Sequence, residues 1–343
     1  MKLLMISTDR KIFEKGSAVA LRQAEYAKGY EEVHIIILAP GKRERSKEGK
    51  ILAEDSETVV SSNCWAYSTQ SSLKILSPLD AIRLGRFIIE KRKITNITCQ
   101  DPFLTGMAGV SLKKQFNIPL ELQLHVDIGS PYFGYTLSNR IRKILARSYL
   151  QKADSIRVVS ERIKKYLIER LGIEDSKITV RPIAANVEWI KSAPITTDLH
   201  KKYQQFDKIV MMASRLEAEK NIALAIHSWA EVLKAVPKAG LIIVGSGSLL
   251  SRLMALSSRL NLGDSVIFEN WVEPGMLASY YKTADLFLST SLYEGYGLTF
   301  VEAQAAGCPI VSTDVGIAKE KGADIVAYEP SDVARGIIGM LNR

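Results

Sequence analysis

The sequence predicts an α/β protein made of two doubly wound parallel-sheet domains in tandem, and three observations carry that expectation. Short β-branched runs alternate with helical stretches from end to end. The runs are continuously apolar, as in parallel strands covered by helices on both faces. The rhythm breaks once, over residues 188–206 ("EWIKSAPITTDLHKKYQQF"), and then restarts. Length agrees, since 343 residues at about 150 per domain suggest two domains. The expected division is a first domain at 1–187, a linker at 188–206 and a second domain at 207–343.

The elements follow in order. "KLLMIST" reads as the first strand, since its apolar run ends at Asp9 and Arg10, too soon for the apolar core of a leader peptide. "SAVALRQAEYAKG" is helical and "VHIIILAP" is the next strand. "ITNITCQD", "LELQLHVD" and "SIRVVS" are further strands, and "ITVRPIAANVE" closes the domain. Helices "LSNRIRKILARSYLQKA" and "SERIKKYLIERLG" lie between them, the second opened by Ser160 as N-cap. After the break, strands "KIVMMAS", "GLIIVG", "SVIFEN" and "DLFLST" alternate with helices "NIALAIHSWAEVLKAV", "LLSRLMALSSRLN" and "PGMLASYYKTA".

Composition excludes several classes. Hydrophobic content of 47% and charged content of 24% fit a globular chain. No segment reaches the roughly 20 apolar residues of a membrane span. Cys64, Cys99 and Cys308 are scattered and lack metal spacing, which predicts reduced thiols in a cytoplasmic protein. The net charge of +9 is uneven. Residues 1–185 hold 31 Lys and Arg against 20 Asp and Glu, and the remainder holds 15 against 17. The basic excess of the first half predicts an anionic partner there.

In open parallel sheets, ligands lie beyond the carboxyl ends of the strands. The most informative strand end is "SLYEGYGLTFVEAQAAGCPIVSTDVG", residues 291–316. Gly295 and Gly297 permit a tight loop, and a helix is expected from about Leu298 to Gly307. Its leading N–H groups suit an anion, and the glycines let a diphosphate approach the backbone. Glu294 and Glu302 bracket this cradle, and a carboxylate can accept hydrogen bonds from the hydroxyls of a diol. "MMASRLEAEKN" adds Arg215 and Lys220 on one short loop before a helix capped by Asn221, which supplies the counter-charge for a diphosphate. "VGSGS" (Gly245, Gly247) ends another strand and lacks the third glycine of a dinucleotide fingerprint. Taken singly, each feature also reads as a solvated loop or a helix-dipole carboxylate.

In this order and spacing the features resemble the retaining glycosyltransferases of family 4. The resemblance implies the GT-B fold, two Rossmann-like domains with a cleft between them, the first binding the acceptor and the second the donor. The family's E-x7-E motif stands as Glu294 and Glu302, its arginine–lysine pair as Arg215 and Lys220, and its "VGxG" strand end as "VGSG". The implied roles are sugar hydroxyls on Glu294, ribose hydroxyls on Glu302 and diphosphate on Arg215 and Lys220. Gly297, Leu298, Thr299 and Gly245 join the donor site, with the base near Asn270–Val272, so Val272 is included. In the first domain, "FEKGSAV" places Gly16 toward the donor phosphates, and "LQLHVD" places His125 close to the transferred sugar. Two departures stand out. Ala184 and Asn186 replace the family's glycine and aspartate, and the helix that crosses back to the first domain is absent after "SDVARGIIGMLNR". Domain closure is therefore expected to use other contacts.

The expected activity is transfer of a sugar from a nucleoside diphosphate sugar to a hydroxyl acceptor, glycan or lipid-linked, with retention, in polysaccharide biosynthesis. No cofactor and no metal are expected, because no Asp-x-Asp occurs to clamp one. Asp127 is the weakest of covalent-nucleophile candidates. Alternatives are a sugar-nucleotide epimerase and a silent sugar-nucleotide-binding protein. A phosphorylase would need a cofactor lysine site, a dehydrogenase a G-x-G-x-x-G, and a nucleic-acid binder a recognised module.

One further pattern concerns the basic half. Along "LSNRIRKILARSYLQKA", Leu137, Ile141, Ile144, Leu145 and Ser148 recur on one side, and Arg140, Lys143 and Arg147 on another. "PYFGY" precedes this helix, and Lys91, Arg92 and Lys93 add charge. The two readings are a solvated helix face and a peripheral, anionic membrane surface at the inner face of the membrane, and the charge imbalance favours the second.

Overall fold

The computed structural model describes residues 1–39 and 57–343. They form two compact units, Met1–Ile128 with Gly134–Arg181, and Gly129–Phe133 with Pro182–Arg343.

In the first unit the strands are β1 (Lys2–Ser7), β2 (Glu32–Ile37), β3 (Glu57–Ser61), β4 (Cys64–Ser68), β5 (Asn96–Cys99), β6 (Leu120–Leu124), β7 (Ser155–Val158) and β8 (Ile178–Val180). They lie in the order β3-β4-β2-β1-β5-β6-β7-β8. Among the described residues only β3 with β4 is antiparallel. The chain builds outward from β1 through β2, then returns to place β5 on the other side of β1. This reversal makes the carboxyl ends of β1 and β5 a switch point. Ser7 Oγ bridges it, 2.5 Å from Gln100 Oε1.

The second unit's strands are β9 (Lys208–Ala213), β10 (Ala239–Val244), β11 (Val266–Glu269), β12 (Leu286–Ser289), β13 (Ile310–Thr313) and β14 (Asp324–Val326). All are parallel, in the order β11-β10-β9-β12-β13-β14. The switch point lies between β9 and β12. Successive residues of a strand face opposite ways, so β9 feeds two cores. Val210 and Met212 pack with Trp229 of helix Ile222–Ala235 and with Val333 and Ile337 of helix Pro330–Leu341. Ile209 and Met211 pack with Tyr281 of helix Pro274–Thr283 and Phe300 of helix Leu298–Ala306. Double-sided burial is why these strands read as unbroken apolar runs.

The stretch at 188–206 folds onto the second unit. Helix Val187–Ser192 opens it, starting one residue before, and helix Leu199–Lys202 lies within it. Ile190 packs with Ala278, while Leu199 and Phe206 are buried in the core shared with Tyr281. Helix Pro274–Thr283 supplies polar anchors, since Ser279 Oγ accepts from Thr196 N at 2.9 Å and Thr283 Oγ1 from Leu199 N at 3.1 Å. The four buried apolar residues of this span, Ile190, Ala193, Leu199 and Phe206, are too widely and unevenly spaced to give a helical period, which is why it lacks rhythm in sequence.

A polar cluster ties the same stretch to β11. Glu269 accepts from Lys202 Nζ at 2.8 Å, from Tyr280 Oη at 2.7 Å and from Tyr203 Oη. Burial pushes the Glu269 carboxyl up, but these hydrogen bonds outweigh it and hold the group below the usual carboxylate range. The stabilisation is present above the unfolded carboxylate pKa and is lost as pH falls through the folded one. Glu269→Gln is therefore expected to lower unfolding free energy at neutral pH by about 2 kcal/mol. Urea titrations should show this difference from the wild type shrinking as pH falls through the acid range.

Candidate functional site

The switch point of the second sheet carries a small recess beyond β9 and β12. Ser214, Lys220, Thr290, Ser291, Glu294 and Thr299 line it. Lys220 comes from the short 3-10 turn Ala218–Lys220 after β9. Asn221 then takes φ +47°, a left-handed conformation that turns the chain into helix Ile222–Ala235. It holds the N-cap position without a side-chain cap, unlike the capping role expected from sequence. Thr290 Oγ1 donates to the carbonyls of Lys220 and Asn221, at 3.3 and 3.0 Å, and so sews the two strand ends together.

Glu294 is the centre of the recess. Its Oε1 accepts from Lys220 Nζ at 2.5 Å and from Ser291 Oγ at 2.8 Å. Both ionic side chains are only 16% exposed. A pair that shielded keeps most of its Coulomb attraction and is weakly screened by salt. The loop below it is held by close backbone packing. Gly316, at φ +50°, has no room for a Cβ, which would lie 2.3 Å from the Tyr296 carbonyl and 3.0 Å from Glu294 Cβ. The Tyr296 carbonyl in turn accepts from Ile317 N at 3.0 Å. On the other flank, Ser130 Oγ donates to the Leu292 carbonyl at 3.3 Å, and Phe133 meets Tyr293 edge-on at 5.5 Å. Ser291, Thr290 and Gly316 were not singled out from sequence; the "STDVG" turn was the available signal for the last.

Helix Leu298–Ala306 opens at Gly297, φ +93°, as the glycine spacing predicts. Leu298 and Thr299 are its first two residues, so their N–H groups lack intrahelical partners. Glu302 lies one turn on and accepts from Tyr281 Oη at 3.1 Å. Burial raises its pKa, opposed by that hydrogen bond.

The other expected residues are placed differently. Arg215 is 72% exposed and paired with Glu219 at 2.7 Å, so it does not line the recess with Lys220. Each cation is already matched to a carboxylate, and an anionic ligand must compete for it or share it. Gly245, at φ +142°, is explained by the fold alone, since a Cβ there would sit 1.9 Å from the Ser214 carbonyl. Val272 follows the edge strand β11, two strands from β9, and packs against the core.

In the first unit, Gly16 (φ +78°) precedes Ser17, whose hydroxyl caps helix Ala18–Ala27. His125 stands just past the end of β6, with Nε2 3.1 Å from Gln123 Oε1. Burial of the ring, aided by the Arg157 guanidinium, lowers its pKa to about 4, although the residue keeps an exposed edge.

Comparison with known proteins gives two family matches, Glycosyltransferase Family 4 over residues 19–189 and Glycosyl transferases group 1 over residues 195–337. The alpha-monoglucosyldiacylglycerol synthase of Streptococcus pneumoniae is 29% identical over 240 residues, covering 66% of this chain and 53% of that protein, so the chain spans about half the relative's length. A second relative, the D-inositol 3-phosphate glycosyltransferase of Segniliparus rotundus, is 37% identical over 114 residues, 32% of this chain and 25% of the relative. Among solved structures, sucrose-phosphate synthase from Thermosynechococcus elongatus matches with a TM-score of 0.75 at 19% identity, covering 100% of this chain and 90% of that one. Anabaena HepE in complex with UDP matches at 0.70 and 22%, with the same coverage. These likenesses establish the GT-B fold expected from sequence.

The packing around Glu294 sets up a comparison of two glycines. Gly316→Ala and Gly307→Ala both force alanine to a positive φ, at about 1–2 kcal/mol. Gly307 has no atom near the added Cβ, whereas Gly316 meets backbone. Gly316→Ala is expected to cost about 1–3 kcal/mol more than Gly307→Ala in urea unfolding. Equal costs would mean that the Glu294 loop is not held by this contact.

Proposed function

The chain belongs to the group 1, family 4 glycosyltransferases, and from that premise we propose that it moves a sugar from a nucleoside diphosphate sugar to a hydroxyl acceptor with retention of configuration. The observation that carries the reading is the shielded Lys220–Glu294 pair beside the leading N–H groups of helix Leu298–Ala306, at the switch point of the second sheet. A diphosphate at that helix end meets free N–H groups and the Lys220 ammonium, while the sugar hydroxyls meet Glu294 and the ribose hydroxyls Glu302. Arg215 is long and exposed enough to leave Glu219 for a phosphate oxygen.

In this reading the bond from the anomeric carbon to the phosphate oxygen breaks as the acceptor oxygen bonds to that carbon from the same face. The acceptor's proton passes to the departing phosphate. Negative charge grows on the diphosphate, and Lys220, Arg215 and the helix N–H groups stabilise it from fixed positions. These groups take the part a divalent cation plays elsewhere, so the reaction is proposed to run without metal.

For the acceptor we propose a lipid-linked hydroxyl reached at an anionic membrane surface. The Streptococcus pneumoniae relative is named as the synthase of an alpha-monoglucosyldiacylglycerol, a glycosylated lipid, which supports this class. So does helix Leu137–Leu150. Its buried side is Ala146 and Leu150, and the opposite, outward side is apolar, with Leu137 73%, Ile141 51% and Ile144 67% exposed. Arg140 and Arg147 flank that stripe and are exposed. Outward apolar side chains beside cations suit a headgroup layer, and each cation contributes on the order of 1 kcal/mol there. No helix among the described residues is long and apolar enough to cross a membrane.

Five outcomes are expected. Arg215→Ala and Lys220→Ala should each slow turnover about 100-fold, less than additively when combined, because they share one leaving group. Glu294→Gln should abolish most transfer yet leave nucleotide affinity within a few-fold, and equal turnover would remove Glu294 from the site. In a thermal-shift panel of UDP, GDP, ADP and their sugars, at least one nucleotide should raise the melting temperature. Excess chelator should leave transfer intact, and loss restored by magnesium would overturn the metal-free step. Anionic vesicles should sediment the protein better than neutral ones at low salt and release it at high salt.

A further inference from the structure

The face of the first sheet below His125 holds a hydrogen-bond network with one consistent direction. Glu121, Gln123 and His125 are two residues apart and share a face along and just past β6. Across the sheet, Glu121 is in register with Thr98 on β5, and Gln123 with Arg157 on β7. Arg157 Nη2 donates to Gln123 Oε1. Gln123 Nε2 donates to Thr98 Oγ1 at 2.9 Å and lies 3.4 Å from Glu121 Oε1. Thr98 Oγ1 donates to that same carboxylate oxygen at 2.8 Å.

A guanidinium only donates and an ionised carboxylate only accepts, so the Gln123 amide has one orientation here. Its carbonyl oxygen must face Arg157 and its NH2 must face Thr98 and Glu121. His125 Nε2 lies 3.1 Å from that carbonyl oxygen. An amide oxygen cannot donate, so the hydrogen between them belongs to Nε2. Nδ1 is then the ring's unprotonated nitrogen, and it has no hydrogen-bond partner among the described residues.

We propose that Gln123, fixed by Arg157, Thr98 and Glu121, is a positioning residue that holds His125 as its Nε2–H tautomer, so that Nδ1 offers a lone pair to a hydroxyl of a ligand bound at the carboxyl end of the first sheet. The inference rests on the sugar-transfer reading and assigns the imidazole a definite task within it. Because burial and Arg157 hold its pKa to about 4, the ring stays neutral at neutral pH. A group that weakly basic is a poor proton acceptor for the acceptor hydroxyl, for which a pKa near the working pH is best. Its role is to orient and polarise a hydroxyl by accepting its hydrogen bond.

The test is long-range 15N–1H NMR on the full chain with labelled histidine. The wild type is expected to show pyrrole-like Nε2 and pyridine-like Nδ1 for His125, unchanged from pH 8 down to about pH 5.5. The reverse tautomer, or protonation near the ordinary histidine pKa, overturns the proposal without needing any variant to fold. Gln123→Met removes the carbonyl while keeping the length of the side chain. It should shift His125 to a mixture of tautomers and lower kcat about tenfold, as loss of one transition-state hydrogen bond does, with the donor KM within about threefold. An unchanged tautomer in that variant overturns the positioning role. Failure of the sugar-transfer reading would show separately, as no nucleotide sugar raising the melting temperature of the wild type.

Discussion

The donor-site account depends on the ion pair between Lys220 and Glu294, 2.5 Å apart at the carboxyl end of the second sheet. The two residues lie 74 positions apart in sequence. They meet only because β9 and β12 are neighbours and because the chain reverses direction between them. A mostly buried ion pair is weak evidence for stability, since desolvation cancels much of its attraction. Its position at the mouth of a switch point, with Ser291 completing the shell, is better understood as preorganisation for a polar ligand.

What surrounds the pair is built for rigidity. Thr290 ties its strand end to the turn that carries Lys220, Thr313 Oγ1 donates to the Ser291 carbonyl at 2.7 Å, and Gly316 lets the next strand's turn lie against the Glu294 loop. Groups fixed this way need little reorganisation when charge develops on a ligand, and that is the condition under which electrostatic stabilisation is effective. Arg215, 72% exposed and paired with Glu219, is the solvent-facing member of the set.

Much of this was legible in the sequence because the site is local. Glu294, Gly297, Leu298, Thr299 and Glu302 fall within nine residues of one loop and helix, and the glycine spacing marked the helix start that the structure has at Leu298. The strands of the second sheet were legible because burial on both faces makes them continuously apolar. Other features depend on long-range packing and were not. The fold of 188–206 onto the second unit rests on four scattered apolar residues. The hairpin β3–β4 and helices Ser77–Arg92 and Leu104–Phe116 went unread for want of a clean period. The helical spacing of Leu137, Ile141 and Ile144 was legible in sequence, but their exposure was not, because it depends on which side of the helix packs inward. Gly245 resembled a ligand glycine, yet the Ser214 carbonyl alone requires it.

The central claim is that Lys220 meets the diphosphate of a nucleotide donor, and calorimetric titration of nucleoside diphosphates into the wild type and Lys220→Met tests it most directly. Wild type should bind at least one of UDP, GDP or ADP with one-to-one stoichiometry, and the variant should bind it at least tenfold more weakly, the equivalent of about 1.4 kcal/mol. Equal affinity in the two proteins, or no binding of any of the three to the wild type, would contradict the account.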